Sequence, residues 1–139
     1  NLALWAMFYG HLNIATMLFE RGADLMKVDS SGDNLLHLAI LGGNIECINF
    51  VLANTNIDVN SAGAEGYTPI IYALHGSHLD AGKLLVEKGA NLFKKANDGY
   101  SAMSFSAAPD ALDHARNLVW DSVKPLLLLS KSFSSNALP

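Results

Sequence analysis

The spacing of three glycines constrains the fold of this chain more than any other feature. Gly32, Gly66 and Gly99 lie 34 and 33 residues apart, and each is followed by a related, largely apolar segment. A period of about 33 residues indicates stacked units, because a unit of this size cannot bury its apolar face alone and has to pack on its neighbours. We therefore expect a repeat protein.

Three blocks of sequence recur at this period. The first block reads Asn34-Leu35-Leu36-His37-Leu38-Ala39, Thr68-Pro69-Ile70-Ile71-Tyr72-Ala73 and Ser101-Ala102-Met103-Ser104-Phe105-Ser106. The second block reads Gly10-His11-Leu12-Asn13-Ile14, Gly43-Asn44-Ile45-Glu46-Cys47 and Ser77-His78-Leu79-Asp80-Ala81. The third block reads Glu20-Arg21-Gly22-Ala23-Asp24-Leu25 and Glu87-Lys88-Gly89-Ala90-Asn91-Leu92. They resemble the ankyrin repeat, whose consensus runs D-x-x-G-x-T-P-L-H-x-A, then G-H, then L-L-x-x-G-A-D. The resemblance covers about residues 1–108 and implies an all-α solenoid of helix–turn–helix units joined by β-turn or hairpin loops.

The resemblance divides the chain into an ankyrin domain over residues 1–120 and a C-terminal capping segment and tail over residues 121–139. The units fall at about residues 1–28, 29–62, 63–95 and 96–120. Unit three is the most complete. Unit two has one extra residue between Asn54 and Ile57, which predicts a longer loop after its second helix. Unit four has lost most of the consensus, with Ser104 at the His position and Asp110 at the second Gly position.

Two helices are predicted in each unit. They are placed at residues 1–9, 12–20, 35–41, 45–53, 69–75, 79–87, 101–107 and 110–119, with a break at Pro109-Asp110, a capping helix at 121–130 and a frayed tail at 131–139. Thr68-Pro69 is a helix start, since Thr caps free N–H groups and Pro fits the first turn. Gly22 and Gly89 suit the left-handed residue that ends a helix.

Composition argues against several classes of protein. A net charge of -4 offers no basic face for nucleic acid. No apolar run reaches the roughly 18 residues of a membrane span. The single cysteine, Cys47, excludes an intrachain disulfide and a cysteine-based metal cluster. It also fits a reducing compartment, so we expect an intracellular, cytoplasmic protein.

The polar residues give no catalytic or metal constellation. His37 occupies the TPLH position, and the resemblance implies that it hydrogen-bonds the turn backbone. His75 and His78 have no cysteine or carboxylate to complete a metal site. We interpret the group Asp110, Asp113 and His114 as acidic residues that favour a helix start and not as catalytic residues. We expect Cys47 to be a core residue. We expect no metal, no cofactor and no enzymatic activity.

The family resemblance implies a partner-binding surface on the turn fingers and on the concave edge of the first helices. The residues at the corresponding positions of this chain are Phe8, Tyr9, Asp33, Leu41, Glu65, Tyr67, His75, Asp98 and Tyr100. Phe8, Leu41 and His75 are expected to form a parallel row along the first helices, with Ala108 at the equivalent position of unit four. Asp33, Glu65 and Asp98 are expected to form an acidic rim that favours a basic or polar ligand. The alternative is that Phe8 and Leu41 tuck back between the helices.

The family resemblance and the lack of a catalytic constellation predict a protein–protein interaction module with no catalytic activity. The other hypothesis is the ankyrin domain of a larger multidomain enzyme or effector, where it positions a substrate or packs on a catalytic domain. The helix at residues 1–9 is apolar nearly all round, and the chain begins at Asn1 rather than Met. Both observations favour an upstream repeat, domain or partner that covers this helix.

Overall fold

The structure, a computed structural model, describes residues 1–107, 113 and 116–121. Within that part of the chain the regular secondary structure is helical, with no β-strand. The helices are α1 (Leu2–Phe8), α2 (Leu12–Glu20), α3 (Leu35–Gly42), α4 (Ile45–Asn54), α5 (Pro69–His75), α6 (Leu79–Glu87) and α7 (Ala102–Ala107). A short 3-10 turn covers Ala64–Gly66, and residues 116–121 are also helical. The predicted helices up to residue 107 are confirmed, with ends that agree to within one residue.

The helices form two rows. The first helices of the units, α1, α3, α5 and α7, pack side by side, and the second helices, α2, α4 and α6, form the other row. The core lies between the rows and is built from side chains such as Met7, Leu36, Ile40, Ile48 and Leu85, all fully buried. The predicted all-α solenoid is confirmed.

The first helices of units two and three begin in different ways. Asn34 Oδ1 accepts the His37 N–H at 3.1 Å, and His37 Nδ1 accepts the Asn34 N–H at 3.0 Å, which makes a reciprocal cap. In unit three the expected Thr68 cap is wrong, because the Thr68 side chain makes no capping bond and its buried hydroxyl has no partner among the described residues. Pro69 starts α5 there, since its ring presets the backbone and leaves no N–H to cap.

The second helix of unit two ends differently from its counterparts. α4 has 10 residues, whereas α2 and α6 have 9. The extra residue therefore lengthens the helix, and the prediction of a longer loop is wrong. α2 and α6 are followed, two residues on, by Gly22 and Gly89, with φ of 79° and 93°. α4 is followed directly by an extended Thr55, whose hydroxyl donates to the Val51 carbonyl at 2.7 Å. The Val51 carbonyl also accepts the Thr55 N–H at 3.1 Å, so the threonine hydroxyl adds a second hydrogen bond at the end of α4.

The last described helix packs on unit three. A Cβ atom at Gly82 of α6 would lie 2.6 Å from Cδ2 of Leu118, so the missing side chain lets the two helices approach closely. Residues 113 and 116–119 of the predicted helix at 110–119 are helical, and this helix runs on to residue 121. Ala108, the Pro109-Asp110 break, His114, residues 122–130 of the predicted capping helix and the predicted tail at 131–139 lie outside the described residues.

Close backbone contact also joins units one and two. Gly42, in the last turn of α3, lies against the end of α1, and a methyl group there would overlap the Phe8 carbonyl. Gly76 is the equivalent residue in unit three, but an added Cβ would meet mainly the His78 ring, 2.6 Å from its Cδ2, with the nearest backbone atom, the Tyr72 oxygen, at 3.4 Å. The His78 side chain can rotate away from an added methyl group, whereas the Phe8 carbonyl belongs to the helix backbone and cannot.

Gly42→Ala is expected to lower the free energy of unfolding by about 1–3 kcal/mol, because the methyl group forces apart two packed backbones. Helix propensity alone predicts the opposite sign, a gain of about 0.5–1 kcal/mol. Urea unfolding followed by circular dichroism measures the change. The matched control is Gly76→Ala, for which we expect a smaller loss. Equal stability of wild type and Gly42→Ala would contradict the close contact.

Candidate functional site

Large apolar side chains line the exposed side of the first helices. Each of Phe8, Leu41 and His75 lies two residues before a residue with positive φ, namely Gly10 (75°), Gly43 (71°) and Ser77 (57°), so the three occupy equivalent places in successive units. Phe8 is 39% exposed and Leu41 38%, and His75 is exposed. The three residues therefore lie at equivalent and exposed positions, and their role as a partner-binding row stays a prediction.

A second row lies beside the first and was not predicted. It consists of the residues three positions earlier, which share the same helix face: Trp5, Leu38, Tyr72 and Phe105. Trp5 is exposed and the other three are half-buried. The alignment of the repeats could have predicted this second row, since its four positions are equivalent and are all apolar or aromatic. We call the two rows, together with Tyr9, Glu65, Tyr67, Asp98 and Tyr100, the first-helix surface.

Aromatic contacts lie within units one and three, and one contact joins units three and four. The Tyr9 ring stacks on Trp5, with centroids 5.1 Å apart, and meets Phe8 edge-on at 5.0 Å. At the other end, the His75 ring lies 4.6 Å from Phe105 and 6.1 Å from Tyr67. Such pairs hold the rings in place, so the surface presents ordered aromatic groups.

Asp33 is not part of an exposed rim. It is 6% exposed, and its Oδ1 accepts the Ala64 N–H at 2.9 Å and the Tyr72 hydroxyl at 2.7 Å. The expectation that it lies at the acidic rim is wrong, because the next unit supplies donors that bury it. Burial, together with the hydrogen bond to Asp33, raises the pKa of the Tyr72 hydroxyl. Asp33 therefore joins units two and three.

Asp98 and Glu65 do lie at the surface, on the loops before α7 and α5. Asp98 Oδ2 accepts the Tyr67 hydroxyl at 2.6 Å, and its Oδ1 accepts the Tyr100 N–H at 3.0 Å. The Tyr67 hydrogen bond holds the pKa of Asp98 below its usual value and raises the pKa of Tyr67. The Glu65 carbonyl accepts the Asn97 N–H at 3.0 Å, which links the two loops.

The two predicted tyrosines have different surroundings. Tyr67 is half-buried and is fixed by Asp98, whereas Tyr100 is 52% exposed. Tyr67 therefore contributes to the packing of the loops as well as to the surface. Tyr100 is the more available of the two for contact with another molecule.

His37 has the structural position that the sequence predicts. Its Nδ1 accepts the Asn34 N–H, so the proton resides on Nε2, which lies 3.0 Å from the Ser61 carbonyl and donates to it. This confirms the predicted bond to the turn backbone. The ring is fully buried, and this burial lowers its pKa from the ordinary 6.5. Cys47 is also fully buried, as predicted for a core residue.

The described residues include no cluster of three or more histidine, cysteine, aspartate or glutamate side chains arranged to hold a metal ion. Of the predicted acidic group near the last helix, only Asp113 is described; it is exposed and helical. In the same part of the chain, none of the helices combines the length and the apolar character that crossing a membrane requires.

The fold and the first-helix surface define a helical repeat protein with an exposed aromatic face. A family model for ankyrin repeats, in three copies, matches residues 2–96. The chain belongs to the ankyrin repeat family. Ankyrin repeats are a general protein-interaction module.

Curated relatives share this region. An ankyrin repeat protein of Rickettsia felis is 31% identical over 90 residues, which are 64% of this chain and 30% of the relative. Protein phosphatase 1 regulatory subunit 27 of Homo sapiens is 30% identical over 86 residues, 62% of this chain and 55% of the relative. The poly [ADP-ribose] polymerase tankyrase of Caenorhabditis elegans is 40% identical over 63 residues, 43% of this chain and 3% of the relative. The matched region covers from 3% to 55% of the length of these three relatives.

Acid is expected to destabilise the fold through His37. Because its pKa is lower in the folded chain than the ordinary 6.5, the unfolded chain takes up the proton first as the pH falls. Stability is then unaffected by this group above about pH 7 and falls below pH 6.5, by up to about 1.4 kcal/mol per pH unit. Urea midpoints between pH 8 and pH 5 measure the slope.

The control variant is His37→Gln, since a Gln side chain keeps the reciprocal cap and does not titrate. Its stability should fall less steeply with acid than that of wild type. An unchanged slope would show that other groups cause the acid sensitivity.

Proposed function

We propose that this chain binds another protein through the first-helix surface and carries out no catalysis itself. The observation that carries the proposal is the composition of α1, α3, α5 and α7, which together contain no Asp, Glu, Lys or Arg. Exposed helix faces are normally covered with charged residues. A face that instead exposes Trp5, Phe8, Tyr9 and Leu41 is typical of an interaction site.

The physical gain from covering this face is large enough for specific binding. Full burial of one Leu or Phe side chain is worth about 1.5–3 kcal/mol, and ordered aromatic residues are frequent binding anchors. Tyr9 already contacts both Trp5 and Phe8, so less side-chain freedom remains to be lost on binding. The name of the human relative, a regulatory subunit, also supports a role in association with another protein. The setting we propose is cytoplasmic.

A second surface favours the other hypothesis, in which the chain is one part of a larger enzyme or effector. A groove at the free side of unit one is lined by Leu2, Ala3, Leu18 and Ala23, with Asp24 and Lys27 among the remaining lining residues. Leu2 is exposed in it. We propose that a neighbouring repeat or domain packs into this groove, as expected for the apolar helix at residues 1–9. The resemblance to a tankyrase, named as a polymerase, is consistent with this arrangement.

Polar substitution of the first-helix surface is expected to remove partner binding. The test variant is Phe8→Gln with Leu41→Gln, and the matched control is Met17→Gln with Phe19→Gln on α2, where both residues are 41% exposed. A protein captured from lysate by the wild-type chain is identified by mass spectrometry, and its Kd is then measured by calorimetry. We expect at least tenfold weaker binding for the test variant, because two buried apolar contacts are lost.

The control should bind within about twofold of wild type, and both variants should keep the helical circular dichroism spectrum. If the test variant binds as tightly as wild type, or if the control loses binding equally, the first-helix surface is not the binding site.

Coverage of the unit-one groove is expected to protect Leu2. A Leu2→Cys variant in a Cys47→Ala background is treated with a thiol reagent, as the 139-residue chain and as a chain that carries its native flanking sequence. The reaction should slow at least tenfold in the longer chain, because a packed neighbour excludes the reagent. The control is Phe93→Cys, which is similarly exposed and lies in unit three. Equal rates for Leu2→Cys in both chains would contradict the second hypothesis.

A further inference from the structure

Charge is distributed unevenly along the first-helix surface. Units one and two contribute aromatic and aliphatic groups, with no ionised side chain on α1 or α3. The exposed carboxylates, Glu65 and Asp98, lie beside units three and four. In the loop before α3, the uncharged Ser31 stands at the position of Glu65 and Asp98, one residue before the turn glycine, while Asp33 is buried and already accepts two hydrogen bonds. The surface is therefore apolar at one end and anionic at the other.

Among the described residues, neither lysine of the Asp98 loop, Lys94 or Lys95, forms an ion pair with Asp98 or Glu65. Lys94, on the same loop as Asp98, is half-buried, and its Nζ donates to the Asn60 carbonyl at 2.6 Å. Lys95 is exposed and lies three residues before Asp98, ahead of the buried Ala96. The donors that meet the Asp98 carboxylate are the uncharged Tyr67 hydroxyl and Tyr100 N–H.

The Asp98 carboxylate is held in a fixed orientation. Each of its oxygens accepts one hydrogen bond, and a carboxylate oxygen has room for two. The exposed Tyr100 ring belongs to the residue whose N–H fixes Oδ1. A fixed, exposed carboxylate with unused lone pairs suits a guanidinium group, whose planar fork of N–H donors pairs with it.

We propose that the first-helix surface binds a single partner segment that is apolar over units one and two and carries an arginine or lysine where it reaches Asp98 and Glu65. This inference rests on the proposed function and adds the chemistry and the direction of the ligand. Packed helices are about 8–10 Å apart, so the row from α1 to α7 spans roughly 25–30 Å. That distance corresponds to about eight or nine residues of extended chain.

The inference is tested with a phage library of random twelve-residue peptides, selected on the wild-type chain. Binders that lose at least tenfold in affinity on Phe8→Gln with Leu41→Gln, and not on Met17→Gln with Phe19→Gln, occupy the first-helix surface. We expect these binders to be enriched in apolar residues at one end and to carry Arg or Lys at the other. Their affinity should fall severalfold between low and high salt.

A double-mutant cycle then locates the cation. Replacing the peptide's basic residue by Ala, or Asp98→Asn with Glu65→Gln in the protein, should each weaken binding about tenfold, and the two changes together should cost little more than one alone. Circular dichroism verifies that the protein variant remains folded.

The outcomes separate the two proposals. Surface binders that lack a basic residue, that are acidic, or that ignore Asp98→Asn with Glu65→Gln overturn the inference and leave the proposed function intact. A library that yields no binder sensitive to Phe8→Gln with Leu41→Gln counts against both.

Discussion

The buried polar junction between units two and three is the contact on which the rest of the arrangement depends. Asp33 and His37 form hydrogen bonds with the loop that precedes α5, at the boundary of units two and three. Gly63 makes this geometry available, since a Cβ there would lie 2.9 Å from His37 Nε2 and would overlap Asp33. Because these buried groups need specific partners, they fix the orientation of one unit on the next, which apolar packing alone does not.

The solenoid was predictable because it follows from local signals that repeat. Left-handed glycines, a proline at a helix start and apolar spacing act within a few residues of one another. Thr68 shows the limit of that reasoning: a residue suited to capping makes no cap bond, and Pro69 starts the helix without it. The extra residue of unit two was also assigned to the wrong element, because sequence alone does not say whether a helix or its loop absorbs an insertion.

The candidate site was predictable as a set of positions but not residue by residue. Phe8, Leu41 and His75 form a row because the repeat sets their phase on the helices. The burial of Asp33 depends instead on Tyr72, 39 residues further along the chain. Such a partner is supplied by the neighbouring unit, so equivalent residues such as Asp33, Tyr67 and Tyr100 have different exposure. Whether the predicted residues bind a partner remains a prediction.

The unequal exposure of these three equivalent residues has a consequence for how a ligand is positioned. A stack of identical units would allow a bound chain to slide by one unit at no cost, since every position would look the same. Here the buried Asp33, the tethered Tyr67 and the open Tyr100 make each step along the stack chemically distinct. The translational symmetry of the backbone is broken by its side chains, so a chain bound along this surface would have a single alignment.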